Sequence, residues 1–147
     1  MAERYIVNVE AAIYNDEGKW LVIKRSQQED HAPGALTLVG GKVEVNGSED
    51  GVLEQTLRRE VREEVGIEVD SEIRYLESKS FRGGEGELVV DIVFLASHKS
   101  GRAEACDPDE VSEVHWLSLE EIRKKERAPA YLPGTVERAQ ASMADRP

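Results

Sequence analysis

The chain has 147 residues, with 30 acidic against 19 basic and a formal net charge of −11, which disfavours nucleic acid backbones and anionic membranes as partners and has solubility as its simplest use. One cysteine, Cys106, allows no internal disulfide, and no apolar run approaches the length of a membrane span. The length suits one domain over residues 1–147 that buries about two-thirds of its unfolded surface, and a Met-Ala-Glu-Arg start without a signal-peptide pattern predicts a soluble cytoplasmic protein.

Taken in chain order, Arg4 to Tyr14 and Lys19 to Arg25 read as strands joined at Asn15-Asp16-Glu17-Gly18, a hairpin signal. Asp30 to Gly34 reads as a loop and Ala35 to Val39 as a strand that ends at paired glycines. A helix is predicted from about Glu49 to Val65, with Ser48 as its N-cap and Gly66 as its stop. Ile73 to Phe81 and Leu88 to Ala96 read as strands around the turn Gly83-Gly84-Glu85-Gly86. Val111 to Leu117 is a last strand, followed by a helix from Ser118, whose Ser-Leu-Glu-Glu order is a capping box. Pro129 and Pro133 bracket a loop that holds Tyr131, and a short helix runs from Thr135 to Met143.

The central helix carries the chemistry. In Arg59-Glu60-Val61-Arg62-Glu63-Glu64-Val65-Gly66-Ile67, three carboxylates fall within five residues, and helical spacing projects Glu60, Glu63 and Glu64 together. Leu57, Val61 and Val65 form the neighbouring apolar stripe, so one side is buried while the other presents acid. Like charges this close raise one another's pKa or recruit a cation, and clustered oxygens suit Mg2+ or Mn2+ rather than zinc. The bland alternative is a solvated acidic face partnered by Arg58, Arg59 and Arg62.

Upstream, Leu36-Thr37-Leu38-Val39-Gly40-Gly41-Lys42-Val43-Glu44 is an apolar run broken by glycines that let backbone approach a ligand. Together, Gly41-Lys42-Val43-Glu44 and Arg59 to Ile67 resemble the head and tail of the Nudix box, G-x5-E-x7-R-E-U-x-E-E-x-G-U with U apolar, the signature of the Nudix hydrolases. The tail matches at every fixed position. Gly41 and Arg59 are eighteen positions apart here against fourteen in the pattern, so four residues, about one helical turn, are inserted. The box's middle glutamate is replaced by Gly47 counted from the head or Gly51 counted from the tail, with Glu44, Glu49 or Glu54 as substitutes. An insertion of one turn predicts an earlier helix start with the carboxylates kept in phase.

The resemblance spans Tyr5 to about Ile122 and implies an α+β Nudix fold, a mixed sheet between helices. It implies a hydrolase that uses Mg2+ or Mn2+ and water to cut a pyrophosphate bond in a nucleoside diphosphate linked to a second group. Metal falls to Glu60 and Glu64, the Gly41 carbonyl and Glu63, with Glu63, Glu60 or Glu110 as the base. Family members often place a further carboxylate some six positions ahead of the tryptophan-containing core of that strand, which is Glu110 here. Arg59 and Glu44 are supporting residues, and Arg25, Arg82 and Tyr131 are substrate contacts. The proline and tyrosine that accompany ADP-ribose and dinucleoside polyphosphate hydrolases of the family are missing, which favours a nucleotide sugar or a nucleoside di- or triphosphate. The partner is then a small nucleotide, with neither membrane nor nucleic acid polymer, and a homodimer is compatible with the reading.

The remaining conspicuous residues carry less. His31, His98 and His115 lie in separate predicted elements, and Cys106 has no nucleophile signature. Asp91 interrupts an apolar strand and faces either the site or solvent. Trp20, Trp116 and Phe81 are core candidates. The rival from another class is a Nudix-fold module that binds a nucleotide or a protein without hydrolysis, which the altered box middle permits and three mutually repelling carboxylates oppose. An isomerase of isoprenoid diphosphates, also found in the wider family, would want a cysteine and metal histidines that the chain does not place.

Overall fold

The structure is a computed structural model that describes residues 3–29, 32–44 and 50–144. Strand β1 (Ile6–Tyr14) alternates, with Val9, Ala11 and Ile13 on one face and Ala12 and Tyr14 on the other. The turn after it is held by the Asn15 side chain, whose Oδ1 accepts from the amides of Glu17 and Lys19, both at 3.0 Å. It leads into β2 (Trp20–Arg25). The run predicted as one strand from Ala35 to Val39 is instead two, β3 (Leu36–Thr37) on β2 and β4 (Val39–Lys42) on β1, so the chain changes partner at Leu38.

After α1 (Val52–Val65), a two-residue strand missing from the sequence reading, β5 (Glu68–Val69), pairs with β7 (Leu88–Ser100). Strand β6 (Arg74–Arg82) is antiparallel to β7, β7 is parallel to β1, and β8 (Val111–Leu117) is antiparallel to β2. The result is a mixed sheet in the order β3-β2-β1-β7-β5, with β4, β6 and β8 attached to β1, β7 and β2. One core packs Val9, Ala11 and Ile13 against Leu57, Val61 and Val65 of α1. The other packs Ala12, Trp20 and Leu95 against Ile122 of α2 (Leu119–Arg123) and Leu132, Val136 and Ala139 of α3 (Tyr131–Ala144). Helices on both faces of a mixed sheet are the expected α+β layering.

The helix ends differ from expectation in two places. Helix α1 starts at Val52, with Gly51 as its N-cap at φ 62° and no side-chain cap. A left-handed residue breaks the helical path, so the helix does not begin near Glu49; Ser48 and Glu49, the expected cap and first turn, lie outside the described residues. Helix α3 starts at Tyr131, so Pro133 belongs to its first turn, where a missing N–H costs nothing, and Tyr131 opens the helix rather than standing in a loop. Ser118 caps α2 by the predicted capping box, accepting from Glu121 N at 3.1 Å while Glu121 Oε1 accepts from Ser118 N at 3.0 Å.

Candidate active site

The paired glycines fix the site's floor. A Cβ on Gly40 would run into the Val9 carbonyl and lie 2.9 Å from the Glu10 Cα, so only glycine lets β4 press onto β1 here. A Cβ on Gly41 would fall 2.5 Å from the carboxyl carbon of Glu60 and 2.7 and 2.8 Å from its oxygens. The Glu60 carboxylate thus occupies the space a side chain at 41 would take.

Glu60 and Glu64 are one turn apart on α1 and flank the buried stripe of Leu57, Val61 and Val65. The third group comes from across the fold. Glu110 closes a turn whose amides bond back to Asp107 O (3.0 Å from Glu110, 2.8 Å from Val111), and its own carbonyl accepts from Ser26 N at 2.9 Å. One carboxylate oxygen each of Glu60, Glu64 and Glu110 then lie within 4.8 Å of one another. Glu64 is buried, and its Oε2 has no hydrogen-bond partner.

Electrostatics follow from that crowding. Burial, reinforced by the charges of Glu60 and Glu110, pushes Glu64 up to about 9. Burial raises Glu60 against the opposing pull of Arg59, and burial with the Asp107 charge raises Glu110. Carboxyls that resist ionisation for want of a counter-charge form a donor set suited to a hard divalent cation. Besides Arg59 on Glu60, Arg25 lowers both Glu64 and Glu110 and holds Glu29 at 3.1 Å.

Other residues singled out by sequence fall in several places. Glu63 is not brought into the trio: its side chain is 60 % exposed and lies 4.0 Å from Arg59 Nε. Arg59 also bonds Glu60 at 3.4 Å, so its ion pairs are with box carboxylates. Gly51, where the box tail would have its middle glutamate, is the left-handed cap of α1, and Glu54 is exposed in the first turn. Glu44 is exposed beyond β4. Arg82 donates to Gly86 O at 3.0 Å within its own hairpin. Tyr131 stands near Arg25, and burial plus the charges of Glu10 and Asp91 push its phenol up to about 12. Trp20 is core, with Nε1 donating to Gln140 at 3.0 Å.

Asp91 does not face solvent but is fully buried in a second polar group, whose other members, Asn8 and Glu10, the sequence reading passed over. Parallel register sets Asn8 beside Asp91, antiparallel register sets Lys79 on its other side, and Glu10 follows two residues along β1. The available signal was alternation: Asn8 and Glu10 sit at every second position of an otherwise apolar strand.

A profile of the NUDIX domain matches residues 4–136. Over 97 residues, 66 % of this chain, it is 34 % identical to the NAD-capped RNA hydrolase NudC of Escherichia coli O1:K1 / APEC, yet it spans only 34 % of that protein's length. The nucleoside triphosphatase NudI of Salmonella agona is 29 % identical over 129 residues, covering 83 % of this chain and 86 % of its own. Among solved structures, the MutT protein of Methanosarcina mazei Go1 superposes with a TM-score of 0.77 at 29 % identity, covering 97 % of this chain and 98 % of its own. With the profile running through nearly every element from β1 into α3, the chain belongs to the NUDIX domain family.

Proposed function

We propose that this chain is a divalent-metal-dependent pyrophosphohydrolase that attacks a small nucleotide, cleaving the phosphoanhydride of a nucleoside diphosphate joined to a further phosphate or a sugar. The observation that carries the reading is the trio of Glu60, Glu64 and Glu110, with its unpartnered buried oxygen on Glu64 and three carboxyls all raised by burial and mutual charge. NudI's name as a nucleoside triphosphatase supports the substrate class. The charge of −11 argues for a small nucleotide over a polymer, and a cytoplasmic location suits such a substrate.

The donor set fits Mg2+ or Mn2+: Glu60 and Glu64 would hold it, with the Gly41 carbonyl as a further oxygen and the Glu110 carboxylate beside them. When bound, such an ion neutralises phosphate oxygens and lowers the pKa of water. The chain's own residues do the rest. Glu110, on a turn and open to solvent, takes the proton of the attacking water. Glu63, outside the trio, acts with Arg59 in holding Glu60 in place. Arg25 contacts the phosphates.

Hydrolysis of nucleotide sugars and nucleoside triphosphates in oxygen-18 water, with Mg2+ and Mn2+ in turn, tests the reading. Label is expected on a phosphate. Label on a sugar carbon, or no turnover across the panel, sinks the proposal.

A further inference from the structure

The chain between β2 and β3 brings two donor nitrogens to one point. Gly34 has φ 74°, and a Cβ on it would fall 2.5 Å from Gln27 Nε2 and 2.8 Å from Arg127 Nη1, so the two side chains meet over the glycine's α-carbon. An amide NH2 and a guanidinium nitrogen donate and do not accept. Both residues are exposed, and neither side chain donates to a protein acceptor among the described residues. Converging donors of this kind lack an oxygen between them, whereas Arg25 on the same stretch is met by Glu29 at 3.1 Å.

The donors border the trio. Gly34 N donates to Arg25 O at 3.0 Å and Arg25 N to Ala35 O at 2.8 Å, so the nitrogens over Gly34 stand one strand away from the arginine that draws down Glu64 and Glu110. Ser26, between Arg25 and Gln27, donates its amide to the Glu110 carbonyl at 2.9 Å. Arg127 is anchored from the other side, its carbonyl accepting from Leu36 N at 3.2 Å. A phosphate chain that begins at the trio and crosses Arg25 therefore runs toward Gln27 and Arg127. In a protein with a net charge of −11, such a polyanion needs cationic partners along its length.

We infer that Gln27 and Arg127 hold the phosphoryl group farthest from the trio, which makes the substrate a nucleoside triphosphate rather than a nucleotide sugar, an inference that rests on the hydrolase reading for the placement of the other phosphates. A terminal phosphate has several charged oxygens, enough to accept from the amide and the guanidinium at once in charge-assisted hydrogen bonds. Sugar hydroxyls in the same position are neutral and leave the Arg127 charge unmatched. The pair binds the end of the substrate and touches no reacting atom, so its effect falls on affinity.

The test needs no turnover. Nucleotide analogues with methylene bridges in place of the anhydride oxygens are titrated calorimetrically into the full chain with Mg2+, as the triphosphate and diphosphate of each common base. For at least one base the triphosphate analogue binds about tenfold or more tightly than the diphosphate analogue. Arg127→Ala weakens the triphosphate analogue by about tenfold and the diphosphate analogue by about twofold or less, and Gln27→Ala acts in the same direction by about threefold. Arg127→Lys recovers part of the loss, because it keeps the charge without the planar fork. Equal affinities of the two analogues for every base overturn the inference, as does a loss in Arg127→Ala that is absent or the same for both. Triphosphate preference without cleavage of any phosphoanhydride removes the hydrolase reading alone; cleavage with no such preference removes this inference alone.

Discussion

Glu64 and Glu77 are carboxylates in packed surroundings, yet Glu64 is held up to about 9 while Glu77 is held below the usual carboxylate range. Burial acts upward on both. Around Glu77 it is outweighed by hydrogen bonds from Arg138 and Thr135 and by Lys79 at 3.7 Å. Around Glu64 it is reinforced by two more carboxylates, with Arg25 as the opposing charge. One group ties α3 to β6; the other is held neutral near neutral pH for want of a counter-charge. A protein that can satisfy Glu77 so fully has the means to satisfy Glu64, and the contrast supports the proposal that the trio holds a metal ion.

The largest expected effect is from Glu64→Gln, which should lower hydrolysis by more than the roughly 100-fold typical of an outer-shell partner of a metal. The same variant sharpens the stability side of the contrast. A folded-state value raised to about 9 means that the Glu64 proton stabilises the fold at acidic pH, and that this contribution is lost as pH climbs from about 5 through 9. Wild-type melting temperature in EDTA should fall across that window and recover with Mg2+, whereas the Gln variant should show a flatter curve and little response to the ion. Parallel curves for the two proteins would remove Glu64 from the metal site.

Glu110→Gln comes next, with a loss of about 100-fold in kcat and a smaller change in KM, as for a proton acceptor; steady-state kinetics that show KM alone rising would reassign it to substrate binding. Gly41→Ala forces the Glu60 carboxylate from its seat and should cost about tenfold in activity while reducing the Mg2+-induced melting shift. On the satisfied side, Glu77→Gln should cost about 1–2 kcal/mol of stability by denaturant titration and leave the Mg2+ response unchanged. Glu113→Gln, at an exposed pair with Lys24, should change stability by less than about 0.5 kcal/mol.

The α1 geometry was legible because helical phase is local: Leu57, Val61 and Val65 orient the helix, and Glu60 and Glu64 border that stripe. Helical spacing grouped Glu63 with them, but it lies about 100° round the helix from Glu64, where it faces Arg59 and solvent. Glu110 could be named only through a family habit, since its approach depends on Ser26 pairing across β2. The Asn8–Asp91 pairing could not be read at all, because parallel register between strands 83 residues apart is decided by the whole sheet. The α1 start was misplaced for a local reason: Gly51 adopts a left-handed conformation that composition alone does not announce.

The seating of Gly40 on β1 also bears on how the site breathes. Strand β1 is hydrogen-bonded on both sides, to β4 and β7, so amide exchange at Val9 to Ala11 should require near-global opening. Glu60, resting on the adjoining Gly41, shares that protected wall, while Glu110 sits on a turn held by two backbone bonds to Asp107 and by one from Ser26 to its carbonyl. The trio thus joins a pair seated on the sheet's most protected strand to a third carboxylate held at a turn, and amide exchange should be faster at Asp109 and Glu110 than at Val9 to Ala11.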